Sequence, residues 1–480
     1  MIAALFCLLL PIANPRVYAT DEVQYYVYLR SLRFDGDLDF ANDYRHMAEL
    51  NPRSGIEGSL LQPNRIRAKT GLYGNVAPIG CAIMWAPFFL LADAAVQIAN
   101  RAGAGIAADG YSWPYTSAVC YASALYGLLG LLICRELARR YTSERAASWA
   151  TIAVWLSSPL VFYMFVQMPF AHSTGFFLVA LFIWVWQRTR PAVGSGERRS
   201  LRDWALLGLI AGLMTMTREQ LGLFLIIPLV EAVVHYAEAI GRRAALRAVW
   251  LAIGHATLLV VFALALVPQI VTYQLLNGEP RPASEVSGKL NWCSPHFIDT
   301  LVDDDPAPSA WCNTVGDFTA GFPPFSRGAF VWAPLLLPAL LGLALLWRRD
   351  RLLLAALLAA FLAQTYINGA YGTTWHLRGA FGFRRLIECT PLFVIGLALL
   401  LDWLALRIGW RAVALLPLPF LAWNAGLVLN ATLFNDVTGL RQYIRWPELW
   451  RWQLEVPAKL VGTVGDLLFD RCRLLQNCRR

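Results

Sequence analysis

Charged side chains are scarce in this chain. Asp, Glu, Lys and Arg make up 15% of its 480 residues, against 57% hydrophobic residues, and mean hydropathy is +0.48. Soluble proteins carry about 25% charged residues, so a soluble fold of this size is excluded: lipid must cover the apolar surface. Chemical motifs are missing too. There is no CxxC…CxxC, no HExxH, no P-loop and no dinucleotide fingerprint, which removes the metal and nucleotide chemistry those patterns carry. His46, His235, His255 and His296 have no ligand spacing. No internal repeat is visible, which speaks against an inverted-repeat transporter. The first apolar stretch, Met1 to Ala13, has no basic residue before it. That weakens a signal-peptide reading, although Val17-Tyr18-Ala19 resembles a cleavage site; an uncleaved first helix is the preferred expectation.

What is present is a series of apolar runs. After the first come 115–134, 146–166, 171–187, 204–217, 220–236, 249–273, 328–347, 352–367, 386–405 and 412–432. Each crossing needs about 20 apolar residues, so the expected fold is all-α, a polytopic bundle of about eleven transmembrane helices. Residues 78–99 are apolar but carry Pro87 and Asp93, and are expected to lie along or dip into the interface. With that segment not crossing, Arg135, Arg139, Arg140, Arg145, Arg188, Arg190, Arg198, Arg199, Arg202, Arg242, Arg243, Arg247, Arg348, Arg349, Arg351, Arg407 and Arg411 all fall on one side, which is cytoplasmic by the positive-inside rule. Topology therefore accounts for the net charge of +9, and nucleic acid is not an expected partner. The expected organisation is a transmembrane catalytic module, 1–432, with outer loops 20–114, 274–327 and 368–385, followed by an outer tail, 433–480.

The nine cysteines fit this sidedness. Cys293 and Cys312 share one outer loop, and Cys472 and Cys478 lie in the tail, where an oxidising compartment favours two local disulfides. Cys7, Cys81, Cys120, Cys134 and Cys389 lie in apolar runs and are expected to be small buried hydrophobes.

Chemistry is expected on the outer face. Asp21 and Glu22 directly follow the first helix, and Tyr25, Tyr28, Leu29 and Leu32 share one helical face after them, as suits a helix at headgroup level. A carboxylate held at the bilayer surface gains basicity, which makes Asp21 a candidate general base; the alternative is an acidic pair that merely ends a helix in water. The Asp35, Asp37, Asp39 run is either a divalent-cation site or a solvated acidic loop. In the loop 368–385, His376, Arg378, Arg384 and Arg385 stand on the side that topology leaves poor in cations. They suit a leaving phosphate, against the alternative of snorkelling to lipid headgroups. Trp446, Trp450 and Trp452 suggest an interfacial helix in the tail.

The segments "TDEVQYYVYLRSLRFDGDLDFANDY" and "KTGLYGNVAPIGCAIMWAPFF", then "LSSPLVFYMFVQMPFAHSTGFFLVAL" and "AGLMTMTREQLGLFLIIP", resemble the GT-C glycosyltransferases. More closely, they are similar to the protein O-mannosyltransferases and the lipid A aminoarabinose transferases. The resemblance covers roughly residues 1–235. It implies that Asp21 and Glu22 are catalytic, that Lys69 contacts phosphate, and that Arg218 stands where the family often has lysine. There are two departures: His172 replaces a second acidic residue in the turn after the third span, and the lysine-proline-proline signature is reduced to Lys69 and Pro78. His172 is thus either a group that positions acceptor or phosphate, or a structural histidine.

Together these readings give an inverting transferase that uses a polyprenyl-phosphate sugar donor. The acceptor is a hydroxyl of an envelope glycan, lipid or protein, at the periplasmic face of a bacterial inner membrane. No cofactor is expected beyond the open question of a divalent cation. The alternative, a transporter or flippase for a lipid-linked glycan, should place paired charges within its spans.

Overall fold

The computed structural model describes residues 1–480 except Gly196, residues 284–285, Ser287, residues 303–326, Thr373, Arg378, residues 435–445 and residues 470–480. Arg378, Cys312, Cys472 and Cys478 therefore lie outside the described residues.

Apolar runs in lipid must satisfy their own backbone groups, which favours helices. The described residues form helices, with isolated bridges only at Ile66–Tyr73 and Leu290–Tyr371. Among the described residues, seven helices are long and apolar enough to cross a membrane: Gly80–Arg101, Trp113–Arg139, Glu219–Gly241, Ala245–Asn277, Arg351–Gly369, Arg384–Ile408 and Trp410–Leu433. Ile2–Ile12 and Leu336–Arg348 are shorter apolar helices. Three further expected runs also return as helical segments. The run 146–166 is broken into Glu144–Leu156 and Leu160–Phe165, while 171–187 and 204–217 become Ala171–Thr189 and Leu201–Thr217.

The segment expected to lie at the interface is an unbroken 22-residue helix, Gly80–Arg101. Asp93 does not interrupt it because its charge is hidden. Arg33 approaches Asp93 at 2.7 Å, and the Tyr115 hydroxyl donates to it at 2.8 Å.

The chain divides into two compact units. The first comprises Met1–Ile133, Tyr163–Gly288 and Arg351–Phe361. Its core is built around the Thr20–Arg30 helix, which buries Glu22, Val23, Gln24, Tyr26, Val27, Tyr28 and Leu29. This helix is enclosed more fully than a one-sided surface helix would be. The Tyr28 hydroxyl reaches the Ala77 carbonyl at 2.9 Å, Tyr26 bonds the Gly110 carbonyl, and Phe40 packs edge-on to Tyr28 at 5.1 Å. Only Leu32, at the far end of the expected stripe, is exposed. In the same unit the Leu201–Thr217 helix packs closely on Ala245–Ala265. A Cβ on Gly208 would stand 2.4 Å from the Leu258 carbonyl oxygen, and one on Gly212 would stand 2.4 Å from the Ala265 Cβ. Two small residues four apart let helix backbones approach in this way.

The second unit comprises Cys134–Phe162, Lys289–Asp350 and Leu362–Arg480. At its centre Thr390–Ile408 buries every residue from Thr390 to Leu399. Gly396 permits this, since a Cβ there would meet the Ala339 carbonyl oxygen at 1.9 Å. Asn424 Nδ2 donates to the Leu156 and Ser158 carbonyls at 2.8 and 3.1 Å, closing the break after Glu144–Leu156. The tail helix Trp446–Phe469 docks through Gln453 Nε2, which donates to the Trp423 carbonyl at 3.0 Å. Trp452 is buried and Trp450 is exposed.

Cys293 is disulfide-bonded. Of the five apolar-run cysteines, four are buried, but Cys7 is exposed. On the Ile2–Leu9 helix only Ile2 and Phe6, one turn apart, face inward, so position 7 faces outward.

Candidate active site

The two adjacent acids expected to be catalytic have different environments. The Thr20–Arg30 helix starts after extended Ala19 (ψ 153°), which leaves free amides at its N-terminus. Glu22 Oε2 turns back to accept the Tyr18 and Ala19 amides at 2.6 and 2.9 Å, the reciprocal half of a capping box. Glu22 is only 2% exposed. Burial pushes its carboxyl up to about 7, against the pull of those two amides and of Arg16, with Asp21 adding a smaller upward push. Glu22 therefore fixes the helix start, while Asp21 is half-exposed one residue earlier.

His172 and Arg218, singled out separately in the sequence, are in contact. Thr217 ends the Leu201–Thr217 helix by bonding its hydroxyl to the Met214 carbonyl at 2.7 Å. Arg218 is then extended (φ −157°, ψ 121°) before a 3-10 stretch, Glu219–Leu225. That break brings Arg218 Nη1 to 2.9 Å from His172 Nδ1, in the first turn of Ala171–Thr189. A guanidinium only donates, so Nδ1 accepts and the imidazole carries its proton on Nε2. Tyr163 flanks the ring at 5.0 Å and Phe170 stacks on it at 6.0 Å.

Sequence reasoning missed Glu219 and Tyr273. The Tyr273 hydroxyl donates to Glu219 Oε1. Tyr28 feels both its own burial and the Glu219 charge, which push its phenol up. Asp21, Tyr25 and Tyr28 are spaced i, i+4, i+7, so they share a helix face. Glu219 lies between the expected runs 204–217 and 220–236, so hydropathy did not single it out.

Lys69 is committed elsewhere. Its ammonium pairs with Glu279, which also pairs with Arg281, and Thr70 Oγ1 donates to the Leu276 carbonyl at 2.8 Å. These contacts tie the bridge region around Tyr73 to the end of Ala245–Asn277. The Asp35, Asp37, Asp39 run is likewise engaged. Asp35 pairs with Arg30, Asp37 Oδ1 accepts from Ser31 Oγ and the Asp39 amide at 3.0 Å each, and Asp39 accepts from the Ala41 amide at 3.1 Å. Among the described residues no group of three or more His, Cys, Asp or Glu is placed to hold a metal ion.

In the second unit, the segment after Arg351–Gly369 is joined to the segment at Lys289. Asn291 N donates to the Ala370 carbonyl at 2.7 Å, and Gly372 N donates to the Lys289 carbonyl at 2.9 Å. His296 stacks on Trp375 at 4.0 Å and bonds Asp299 at 2.9 Å. His376 is buried. Leu377 is left-handed (φ 49°), which costs a branched residue roughly 1–3 kcal/mol and marks a segment over-determined by its surroundings. Arg384 and Arg385 open a 3-10 stretch, Arg384–Cys389, in which Glu388 is buried. Arg385 Nη2 donates to Thr374 Oγ1 at 3.0 Å, and its guanidinium lies 4.5 Å over the Tyr371 ring.

No protein-family model and no curated protein sequence matches the chain. Solved structures do. ArnT from Cupriavidus metallidurans in the apo state is similar over 98% of this chain and 71% of its own, at 14% identity and a TM-score of 0.50. The Archaeoglobus fulgidus oligosaccharyltransferase in the apo form covers 89% of this chain at 16% identity and a TM-score of 0.48. The oligosaccharyltransferase AglB of the same organism, in complex with an inhibitory peptide and a dolichol-phosphate, covers 93% at 13% identity and a TM-score of 0.49. The chain spans 53% and 56% of the length of these two. The likeness to ArnT shows the fold: a polytopic helical membrane protein with the GT-C architecture.

Proposed function

We propose that the protein is an inverting glycosyltransferase that moves a monosaccharide from a polyprenyl-phosphate donor to a hydroxyl of an envelope glycan, lipid or protein. On this reading it works at the periplasmic face of a bacterial inner membrane. The observation that carries the proposal is the division of labour between neighbouring carboxylates: Glu22 is buried and bound to two amides, while Asp21 is half-exposed beside it. A held carboxylate next to an accessible one is the arrangement a general base needs.

The acceptor hydroxyl gives its proton to Asp21 as its oxygen bonds the anomeric carbon. The carbon–oxygen bond to phosphate breaks on the opposite face, and polyprenyl phosphate leaves with the electron pair. Arg218, oriented by neutral His172, supplies charge to that phosphate, where stabilisation of developing charge counts most. Lys69 acts through the loop it pins, and for the second unit, taken by itself, phosphate binding by Arg384 and Arg385 is a separate proposal. Mass spectrometry of envelope glycans decides the matter. A deletion strain should lack a sugar that the wild-type gene restores and the Asp21→Asn gene does not; restoration by Asp21→Asn removes the assignment of the base.

A further inference from the structure

The Leu201–Thr217 helix carries Arg218 at one end. At its other end, roughly 25 Å away at 1.5 Å per residue, lies a cavity of about 190 Å³. It forms where Leu201–Thr217 begins, Ile226–Gly241 ends and Ala245–Ala265 begins. The buried Arg199 in its wall is engaged through all three of its nitrogens. Arg199 Nε donates to Thr189 Oγ1 at 2.9 Å, Nη1 to Glu231 Oε2 at 3.0 Å and Nη2 to the Trp186 carbonyl at 3.1 Å.

Two other groups in the cavity do have capacity. His235, 2% exposed, presents a buried Nε2 with no hydrogen-bond partner, and so does His255. Their other nitrogens set the tautomers. His235 Nδ1 faces Arg247 Nη2 at 3.4 Å; a guanidinium only donates, so Nε2 of His235 carries the proton. His255 Nδ1 lies 2.7 Å from the Leu251 carbonyl, so it donates there and leaves Nε2 as an acceptor. The cavity therefore offers one donor, 3.7 Å from Glu231 Oε1, and one acceptor, with Arg247, which also pairs with Glu238 at 3.1 Å, beside His235 and Arg198 stacked at 5.3 Å over Trp250. Just beyond it the same helices expose Leu229, Val233 and Ile253, a face suited to acyl chains.

We infer that this cavity binds a phospholipid whose headgroup carries both a phosphate and a hydrogen-bond donor, such as an amine. The phosphate meets Arg247, Arg198 and the His235 N–H; the headgroup amine donates to His255 Nε2; the chains lie along the exposed apolar face. The inference is independent of sugar transfer, because it concerns the other end of the helix and is read by binding alone.

Native mass spectrometry of the full-length protein in detergent tests it with four probes: dioctanoyl phosphatidylethanolamine, dioctanoyl phosphatidylcholine, dioctanoylglycerol and inorganic phosphate. Phosphatidylethanolamine should be retained as one tight adduct. Phosphatidylcholine, which has the phosphate but no donor, should bind about tenfold more weakly, as one lost hydrogen bond to a buried partner implies. Dioctanoylglycerol should be weaker still, and inorganic phosphate should not displace the lipid. Ala232→Phe, which fills the cavity, and Arg247→Gln should each lower retention about tenfold or more. Equal binding of phosphatidylcholine and phosphatidylethanolamine overturns the donor match. Displacement by inorganic phosphate makes the cavity a soluble-anion site, and a wild-type adduct no tighter than that of Ala232→Phe removes the site. Should Arg247→Gln fail to fold, the headgroup series on the wild-type protein still decides.

Discussion

The two ends of the Leu201–Thr217 helix each carry an arginine, but the arginines face different tasks. At the Arg199 end the guanidinium is buried and tied to a carboxylate, a hydroxyl and a carbonyl, and Glu231 also accepts from Trp186 Nε1 at 2.6 Å. At the Arg218 end the guanidinium is half-buried, bonds neutral His172 and reaches Gln220 only at 3.4 Å. Charge enclosed by charge is structural. At the helix break the Arg218 guanidinium is positioned by an imidazole and stays half-buried. The same residue type, at the two ends of one helix, is sorted by what surrounds it.

The largest expected effect falls at the Arg218 end, on the Thr20–Arg30 helix. Asp21→Asn should lower sugar transfer by about 10²–10⁴-fold, the range typical of a lost general base, with the thermal midpoint unmoved because the side chain is half-exposed. Purified-enzyme turnover with a lipid-phosphate donor reads this directly.

Next comes the opposite end, where stability rather than turnover should fall. Arg199→Leu leaves Glu231 buried without its cation and should cost about 3–5 kcal/mol. Arg199→Leu with Glu231→Leu should recover most of that loss, since removing both charges leaves neither stranded. If Arg218→Gln destabilises as much as Arg199→Leu in denaturant titrations, the contrast between the two ends fails.

A smaller effect concerns Glu22 and pH. Its folded pKa is raised from 4.5 to about 7 by burial, so the folded state holds a proton that the unfolded state releases between those values. The associated stability is fully present below about 4.5 and is lost as pH rises through 7, on the order of 3 kcal/mol. Glu22→Gln keeps an oxygen for the Tyr18 and Ala19 amides and should flatten that slope. Unfolding midpoints between pH 4.5 and 7.5 show whether it does.

The smallest effect sharpens the geometry between the two ends. Gly208→Ala puts a Cβ 2.4 Å from the Leu258 carbonyl oxygen, so the helix pair must separate, at about 1–3 kcal/mol as overpacking usually costs. An unchanged midpoint would mean that the close approach contributes nothing.

Much of this was legible in the chain. Fold class follows from composition, because 57% hydrophobic and 15% charged residues cannot be arranged as a soluble domain. Asp21-Glu22 was legible from its place after an apolar run, and His172 and Arg218 from the motifs around them. Their mutual contact was not, since it depends on a helix ending at Thr217 and another starting at Ala171, 46 residues apart in sequence. The continuity of Gly80–Arg101 was not legible, because the partners that hide the Asp93 charge, Arg33 and Tyr115, come from elsewhere in the chain. Lys69 looked like a phosphate ligand until its partner Glu279, 210 residues away, was in place.

The sequence by itself determined the class, the helical period, the outline of the spans and the residues worth testing, because hydropathy and charge are summed locally along the chain. Only the tertiary structure decided how differently two adjacent acids are buried, what surrounds each of two arginines, and where two imidazoles share a cavity. The physical reason is desolvation. The free energy of a carboxylate, a guanidinium or an imidazole depends on the dielectric and the partners that packing supplies, and those come from segments far apart in the chain.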